Sequence, residues 1–181
     1  MPWIALGIGL LILGVGVTVK NTMPDKDFFK FDNLFKNAGN KYGVPWKWIK
    51  AVAMNESSLG NHPSVKRGIE NPTDVNGSKS SDGLSWGLMQ VTIRTARSLD
   101  PKTTEVKLND PIYSVDLGAR YLRDLQNSFD QKNPKFMEYV IKSYNQGPGN
   151  TRKEIATGKG YADDYFKRFL RNLEKINSIQ A

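Results

Sequence analysis

Glu56 stands at the end of an apolar helix stripe, and a glycine-rich loop lies downstream of it. The segment from Val44 to Ser58 reads as a helix, with Ile49, Val52 and Ala53 marking its buried face at helical spacing. Glu56 falls next on that face, after Val52 and Ala53. A carboxyl so placed leaves the core at the mouth of whatever lies above it. Partial desolvation raises the pKa of such a group, which suits a general acid near neutral pH. On this helix alone, the commoner alternative is a helix-end glutamate curled into solvent.

Three later segments bear on that choice. Ser85-Trp86-Gly87-Leu88-Met89-Gln90-Val91 comes first, then Ser143-Tyr144-Asn145-Gln146-Gly147-Pro148-Gly149-Asn150, then Tyr161-Ala162-Asp163-Asp164-Tyr165-Phe166. The order Glu-Ser, Gly-Leu-Met-Gln, Tyr-Asn-x-Gly and a late Tyr resembles the soluble lytic transglycosylase family of the lysozyme superfamily. Gly43-Val44-Pro45, which opens the Glu56 helix, adds to the likeness. So does Asp110-Pro111 with Gly118-Ala119-Arg120-Tyr121-Leu122, which is similar to the family's middle helix. The resemblance covers roughly residues 28 to 175. Each motif alone is weak; four in order at compatible spacing are specific.

Cleaving a glycosidic bond needs a proton on the leaving oxygen and stabilisation of an oxocarbenium-like centre. The resemblance implies that Glu56 supplies the proton and then acts as base. The N-acetyl oxygen of the muramyl sugar attacks or shields the anomeric carbon, and the sugar's C6 hydroxyl closes a 1,6-anhydro ring. No water is consumed, so one protein carboxylate suffices.

The other motif residues take roles around it. Ser57 orients Glu56 or the substrate acetamide, unless it simply bonds to backbone at the helix end. Gly87 lets the chain pass close to a sugar without a Cβ. Met89 offers an adaptable apolar contact, and Gln90 a donor and an acceptor. The resemblance lines a cleft with Gly87, Leu88, Met89 and Gln90, whereas pattern alone makes Leu88 and Met89 core. Tyr144 shares the inward face of its helix, where its hydroxyl could bond the Glu56 carboxyl. Asn145 could bind an N-acetyl group. A buried tyrosine and a helix-ending asparagine are the plainer readings. Tyr165 best fits the late tyrosine, with Tyr161 as the alternative.

One departure is informative. Goose-type lysozymes resemble this pattern but carry an aspartate directly after Gly-Leu-Met-Gln-Val, where this chain has Thr92. Loss of that water-activating carboxylate favours the non-hydrolytic reaction. Asp82, in Ser80-Ser81-Asp82-Gly83, keeps a hydrolytic muramidase as the alternative. Ser143, where the family usually has Ala, should matter little.

These residues need helices to position them. Asp25 to Tyr42 reads as a helix with Phe28, Phe31, Phe35, Ala38 and Tyr42 on one stripe. Residues 59–85 form a long polar stretch, expected as a cleft-edge loop or a segment without function. Asp110 as N-cap and Pro111 at the first position start another helix. Its stripe is Ile112, Val115, Ala119, Leu122 and Phe129. Asn133-Pro134 starts the next, with Met137, Val140, Ile141 and Tyr144 inward, and Gly147-Pro148-Gly149 stops it. The last carries Phe166, Phe169, Leu170, Leu173 and Ile176. The expected fold is mainly α, a lysozyme-like (goose-type or SLT) helical domain with at most a short β-hairpin between 65 and 90.

Composition narrows the partners. The 181 residues carry a formal charge of +8 and no cysteine. Disulfides, thiolate zinc sites and a lipidated-cysteine anchor are therefore excluded. His62, the only histidine, precedes Pro63 in a polar stretch and reads as exposed, so Ser-His and His-rich metal chemistry lack support. No metal or cofactor is expected. A basic surface attracts polyanions. No compact Lys/Arg cluster with interleaved aromatics is present, so cell-wall polymer or an anionic membrane face is preferred to nucleic acid.

Trp3 to Val19 is uncharged and mostly apolar, about 25 Å long as a helix. It is read as an N-terminal transmembrane helix rather than a cleaved signal. No Lys or Arg precedes it and no Ala-x-Ala-like site follows. The expected organisation is an anchor at 1–20, a linker at 21–27 and a transglycosylase domain at 28–181. Lys20, Lys26 and Lys30 follow the anchor, and the positive-inside rule would hold the domain in the cytoplasm, away from peptidoglycan. A phage virion membrane, or export to the periplasmic side of a bacterial inner membrane, resolves the conflict. Virion or envelope-complex proteins are then partners. A non-catalytic wall-binding or virion structural module is the alternative from another class.

Overall fold

A glycine and a proline lead into the helix that carries Glu56. The structure, a computed structural model, describes residues 26–180. Helix α1 (Asp32–Tyr42) ends at Gly43, whose φ of 66° turns the chain back. Pro45 then leads into α2 (Trp46–Ser57). Ile49, Ala51, Val52 and Ala53 of α2 are fully buried, as the apolar stripe requires.

The expected single helix from Asp25 is two elements, a 3₁₀ turn at Lys26–Phe28 and then α1. Phe28, Phe31, Phe35 and Ala38 nevertheless share one buried face. The polar stretch 59–85 is more ordered than a loop. It contains α3 (Pro63–Glu70), with Val65 and Gly68 buried. Beneath it, Ser78 Oγ bonds Asn109 Oδ1, and Asn109 Nδ2 bonds the carbonyls of Pro72 and Asp74 at 3.0 and 2.8 Å. Asn109 thus satisfies a segment too polar to hold itself by burial. His62 is exposed, as expected.

The one hairpin among the described residues pairs β1 (Ser85–Trp86) antiparallel with β2 (Val91–Thr92), in register Ser85↔Thr92 and Trp86↔Val91. It encloses the Gly-Leu-Met-Gln loop. Helices α4 (Ile93–Leu99) and α5 (Glu105–Asn109) follow, both capped by threonine: Thr92 Oγ1 accepts from Thr95 N, and Thr104 Oγ1 from Lys107 N.

Helix α6 (Pro111–Gln126) starts as expected, with Asp110 accepting from Ile112 N at 2.9 Å. Ile112 itself is 64% exposed and so leaves the expected stripe. Helix α7 (Phe136–Gln146) begins two residues beyond Pro134. Gly147-Pro148 ends it and at once opens α8 (Pro148–Thr157), with the proline at its first position. Helix α9 (Asp163–Ile179) buries Tyr165, Phe169 and Ile176, whereas Leu170 is 39% exposed and is not core. Helix α2 is the central rod, packed on α9, α1 and α6. The expected 1–20 anchor and most of the 21–27 linker lie outside the described residues, among which no helix is long and apolar enough to cross a membrane.

Candidate active site

Glu56 occupies the last turn of α2, and the chain turns sharply just beyond it. Ser58, Leu59 and Gly60 adopt φ values of 52°, 56° and 82° in succession. Two of these are non-glycine residues in the left-handed region, each costing on the order of 1 kcal/mol. The turn is held by Leu59 N and Ser58 N bonding back to the carbonyls of Ala53 and Met54. It ends α2 one residue beyond Glu56.

The carboxyl opens on a cleft of about 400 Å³. The hairpin region contributes Ser80, Asp82, Ser85, Gln90, Thr92 and Thr95; α6 and α7 contribute Tyr121, Tyr144, Asn145 and Gln146. Tyr165 Oη donates to Glu56 Oε1 at 2.5 Å. Burial raises the Glu56 pKa to about 7, against the lowering pull of the Tyr165 hydroxyl and the Arg168 charge. A carboxyl in that state is part acid and part base at neutral pH. Asp82 is the opposite case. Exposed, with Ser80 Oγ and Leu84 N bonded to its Oδ1, it is held below the usual carboxylate range. The two carboxyls of the cleft are thereby pushed apart in acidity.

The structure brings Glu56, Gln90, Tyr144, Asn145 and Tyr165 together and redistributes the work among them. Tyr144 does not bond Glu56: its hydroxyl donates to the Met89 carbonyl at 2.9 Å, and its ring packs on Tyr121 with centroids 5.3 Å apart. Tyr165 makes the bond expected of Tyr144. Tyr161, the alternative late tyrosine, is 81% exposed. Asn145 is exposed and lines the cleft. Gln90, at φ 45°, gives both Nε2 hydrogens to the carbonyls of Ser78 and Gly87 at 2.9 and 2.8 Å. It can offer a substrate only its acceptor.

Ser57, Gly87, Leu88 and Met89 lie behind the cleft surface, contrary to the expectation that they meet substrate. Ser57 is buried; its Oγ lies 2.7 Å from Leu88 O and 3.0 Å from Ala53 O and accepts from Gly60 N. It ties the end of α2 to the loop. Leu88 and Met89 are fully buried. Gly87 is required by protein rather than by a sugar: its φ is 80°, and a Cβ there would sit 2.0 Å from Leu108 O. The loop is a brace. Leu88 carries Ser57, Met89 carries Tyr144, and only Gln90 reaches the cleft.

Sequence reading missed Tyr121, Gln146, Thr95 and Asn55. Asn55 Nδ2 bonds the Tyr165 carbonyl at 3.0 Å, and Asn172 bonds Asn55 in turn. Tyr121 had a visible signal: it lies within the Gly118-Ala119-Arg120-Tyr121-Leu122 motif and carries a hydroxyl. Asn55 had none, because its partner is 110 residues away.

A helical, lysozyme-like domain with one half-buried, desolvated carboxyl in a polar cleft is the class that fold and site define. The Transglycosylase SLT domain profile matches residues 33–167, and the chain belongs to that family. It is 33% identical over 159 residues to a membrane-bound lytic murein transglycosylase C of Serratia proteamaculans, covering 82% of this chain and 40% of that protein. It is 32% identical over 148 residues to a protein of the same name from Yersinia enterocolitica, covering 76% and 37%. The chain thus spans about two fifths of the length of these curated relatives.

Proposed function

We propose that this protein is a peptidoglycan lytic transglycosylase in which Glu56 is the only catalytic carboxylate. The carrying observation is that Glu56, half-buried at the cleft, has a pKa raised to about 7 by desolvation and a tyrosine hydroxyl fixing its rotamer. The protonated Glu56 gives its proton to the oxygen linking N-acetylmuramic acid to the next N-acetylglucosamine. As that C–O bond breaks, the muramyl acetamide oxygen shields the anomeric carbon. The muramyl C6 hydroxyl then adds to that carbon and returns its proton to Glu56, closing a 1,6-anhydro ring. Protons balance, and water does not enter. Tyr165 steadies Glu56 between its two roles. Asn145 and the Gln90 acceptor are assigned to the acetamide and sugar hydroxyls.

Hydrolysis is the second reading, favoured by the ionised Asp82 on the same cleft. Digestion of peptidoglycan followed by mass spectrometry separates the two: anhydromuramyl ends for the lyase, reducing ends for the hydrolase, and no products for a non-catalytic wall-binding or virion module.

The relatives' printed names and the apolar run at Trp3–Val19 support a membrane-anchored enzyme with a domain beginning near residue 28 and facing peptidoglycan. The conflict with the positive-inside rule supports a phage virion membrane or an exported inner-membrane protein, with virion or envelope proteins as neighbours.

A further inference from the structure

Lys142 lies on α7 and is 3% exposed, yet it is a cation surrounded by acids from three helices. Its Nζ is 2.8 Å from Glu138 of α7 and 2.5 Å from Glu154 of α8, and it also bonds Asp163 at the start of α9. The three carboxylates lie within 4.8 Å of one another, so they need a cation between them. Burial works against the Lys142 charge, but the three acids outweigh it and hold its pKa above the ordinary lysine value.

Two arms run from this centre to the cleft. Glu154 passes its other oxygen to Gln146 Nε2 at 2.7 Å, and Gln146 lines the cleft. The loop before α9 closes over Glu154 so tightly that a Cβ at Gly160 would sit 2.1 Å from its Oε1. Asp163 is in the first turn of α9, two residues before Tyr165, whose hydroxyl holds Glu56. Asn55 grips the Tyr165 carbonyl from α2, so one side of that residue is fixed independently of Lys142.

We infer that Lys142 is a positioning residue for the reaction: it sets where α9 begins, and so delivers the Tyr165 hydroxyl to Glu56. This rests on the proposed role of Glu56, but the test does not need turnover. The groups facing Glu56 are Tyr165 and Arg168 from α9 and Tyr144 from α7. Lys142 itself faces the three acids, with Lys135 and Lys167 beyond Asp163.

The test is a double-mutant cycle between Lys142→Met and Tyr165→Phe in the full chain. It is read by the carbon-13 titration of the Glu56 carboxyl and, separately, by kcat and KM on peptidoglycan. If Lys142 acts through Tyr165, each single variant displaces the Glu56 midpoint, and the double variant adds nothing to Tyr165→Phe alone. In turnover, Lys142→Met lowers kcat about 10-fold with KM little changed, and Lys142→Arg restores most of it. Asp163→Asn is the milder second variant. It leaves Lys142 paired with Glu138 and Glu154, and should displace the midpoint in the same direction by less. An unchanged midpoint in Lys142→Met and Asp163→Asn, or additive effects in the cycle, would overturn the inference and leave Lys142 a purely structural ion. A wild-type protein without activity but with the coupled titration would instead fail the functional reading alone.

Discussion

The Tyr165 hydroxyl and the Glu56 carboxyl meet at 2.5 Å across 109 residues of chain. The bond stabilises the carboxylate form, so it restrains the rise that burial imposes on Glu56. Tyr165→Phe should therefore move the Glu56 pKa further up, and the basic limb of the pH–rate profile with it. Turnover at the optimum should fall about 10- to 100-fold, the worth of one hydrogen bond to a charged group. A pH–rate profile measured on both proteins checks limb and height together.

Glu56→Gln should be nearly inactive, losing about 10²- to 10⁴-fold or more, because the proton is gone. The same change should stabilise the fold at alkaline pH. The folded-state pKa of Glu56 is raised above its unfolded value. Its contribution to stability is therefore intact below about pH 4.5 and is lost as pH rises through about 7. Glutamine does not titrate, so the variant's advantage should be near zero at pH 4 and reach about 3 kcal/mol at pH 8. Paired denaturation curves at the two pH values measure it.

Tyr144→Phe should act on stability before chemistry. Its hydroxyl serves the buried Met89 carbonyl, which would be left unsatisfied at a cost of about 1–3 kcal/mol. The ring still packs on Tyr121. The expected result is a lowered Tm with the Glu56 limb of the pH profile in place. A shifted limb with unchanged Tm would give Tyr144 the direct role.

Removing residues 1–20 should abolish membrane sedimentation and leave activity on purified peptidoglycan largely unchanged, since every cleft residue lies beyond residue 55. Sedimentation of the full-length and truncated proteins, before and after carbonate extraction, measures this.

Much of the helical order was legible because caps and stripes are local. Asp110-Pro111 names its helix start, and Ile49, Val52 and Ala53 point to Glu56 without help from elsewhere. The short helices α4 and α5 were not legible, being only one to two turns long and set by threonine caps rather than by stripes. Nor was the division of labour in the Gly-Leu-Met-Gln loop. Sequence shows that Gly87 is special, but the reason is a carbonyl at Leu108 that only the packed chain brings near. Tyr144 and Tyr165 illustrate the same limit. Both were expected around the acid, and which hydroxyl reaches it depends on the start of α9, set by Asn55 and Asp163.

The most direct measurement of the central claim is digestion of purified peptidoglycan in water enriched in oxygen-18, with the products read by mass spectrometry. If Glu56 alone carries the reaction and the sugar's own hydroxyl closes the ring, the new muramyl ends are 1,6-anhydro and carry no label. Reducing muramyl ends bearing one oxygen-18 would contradict the account and shift the chemistry to a water activated on the Asp82 side of the cleft.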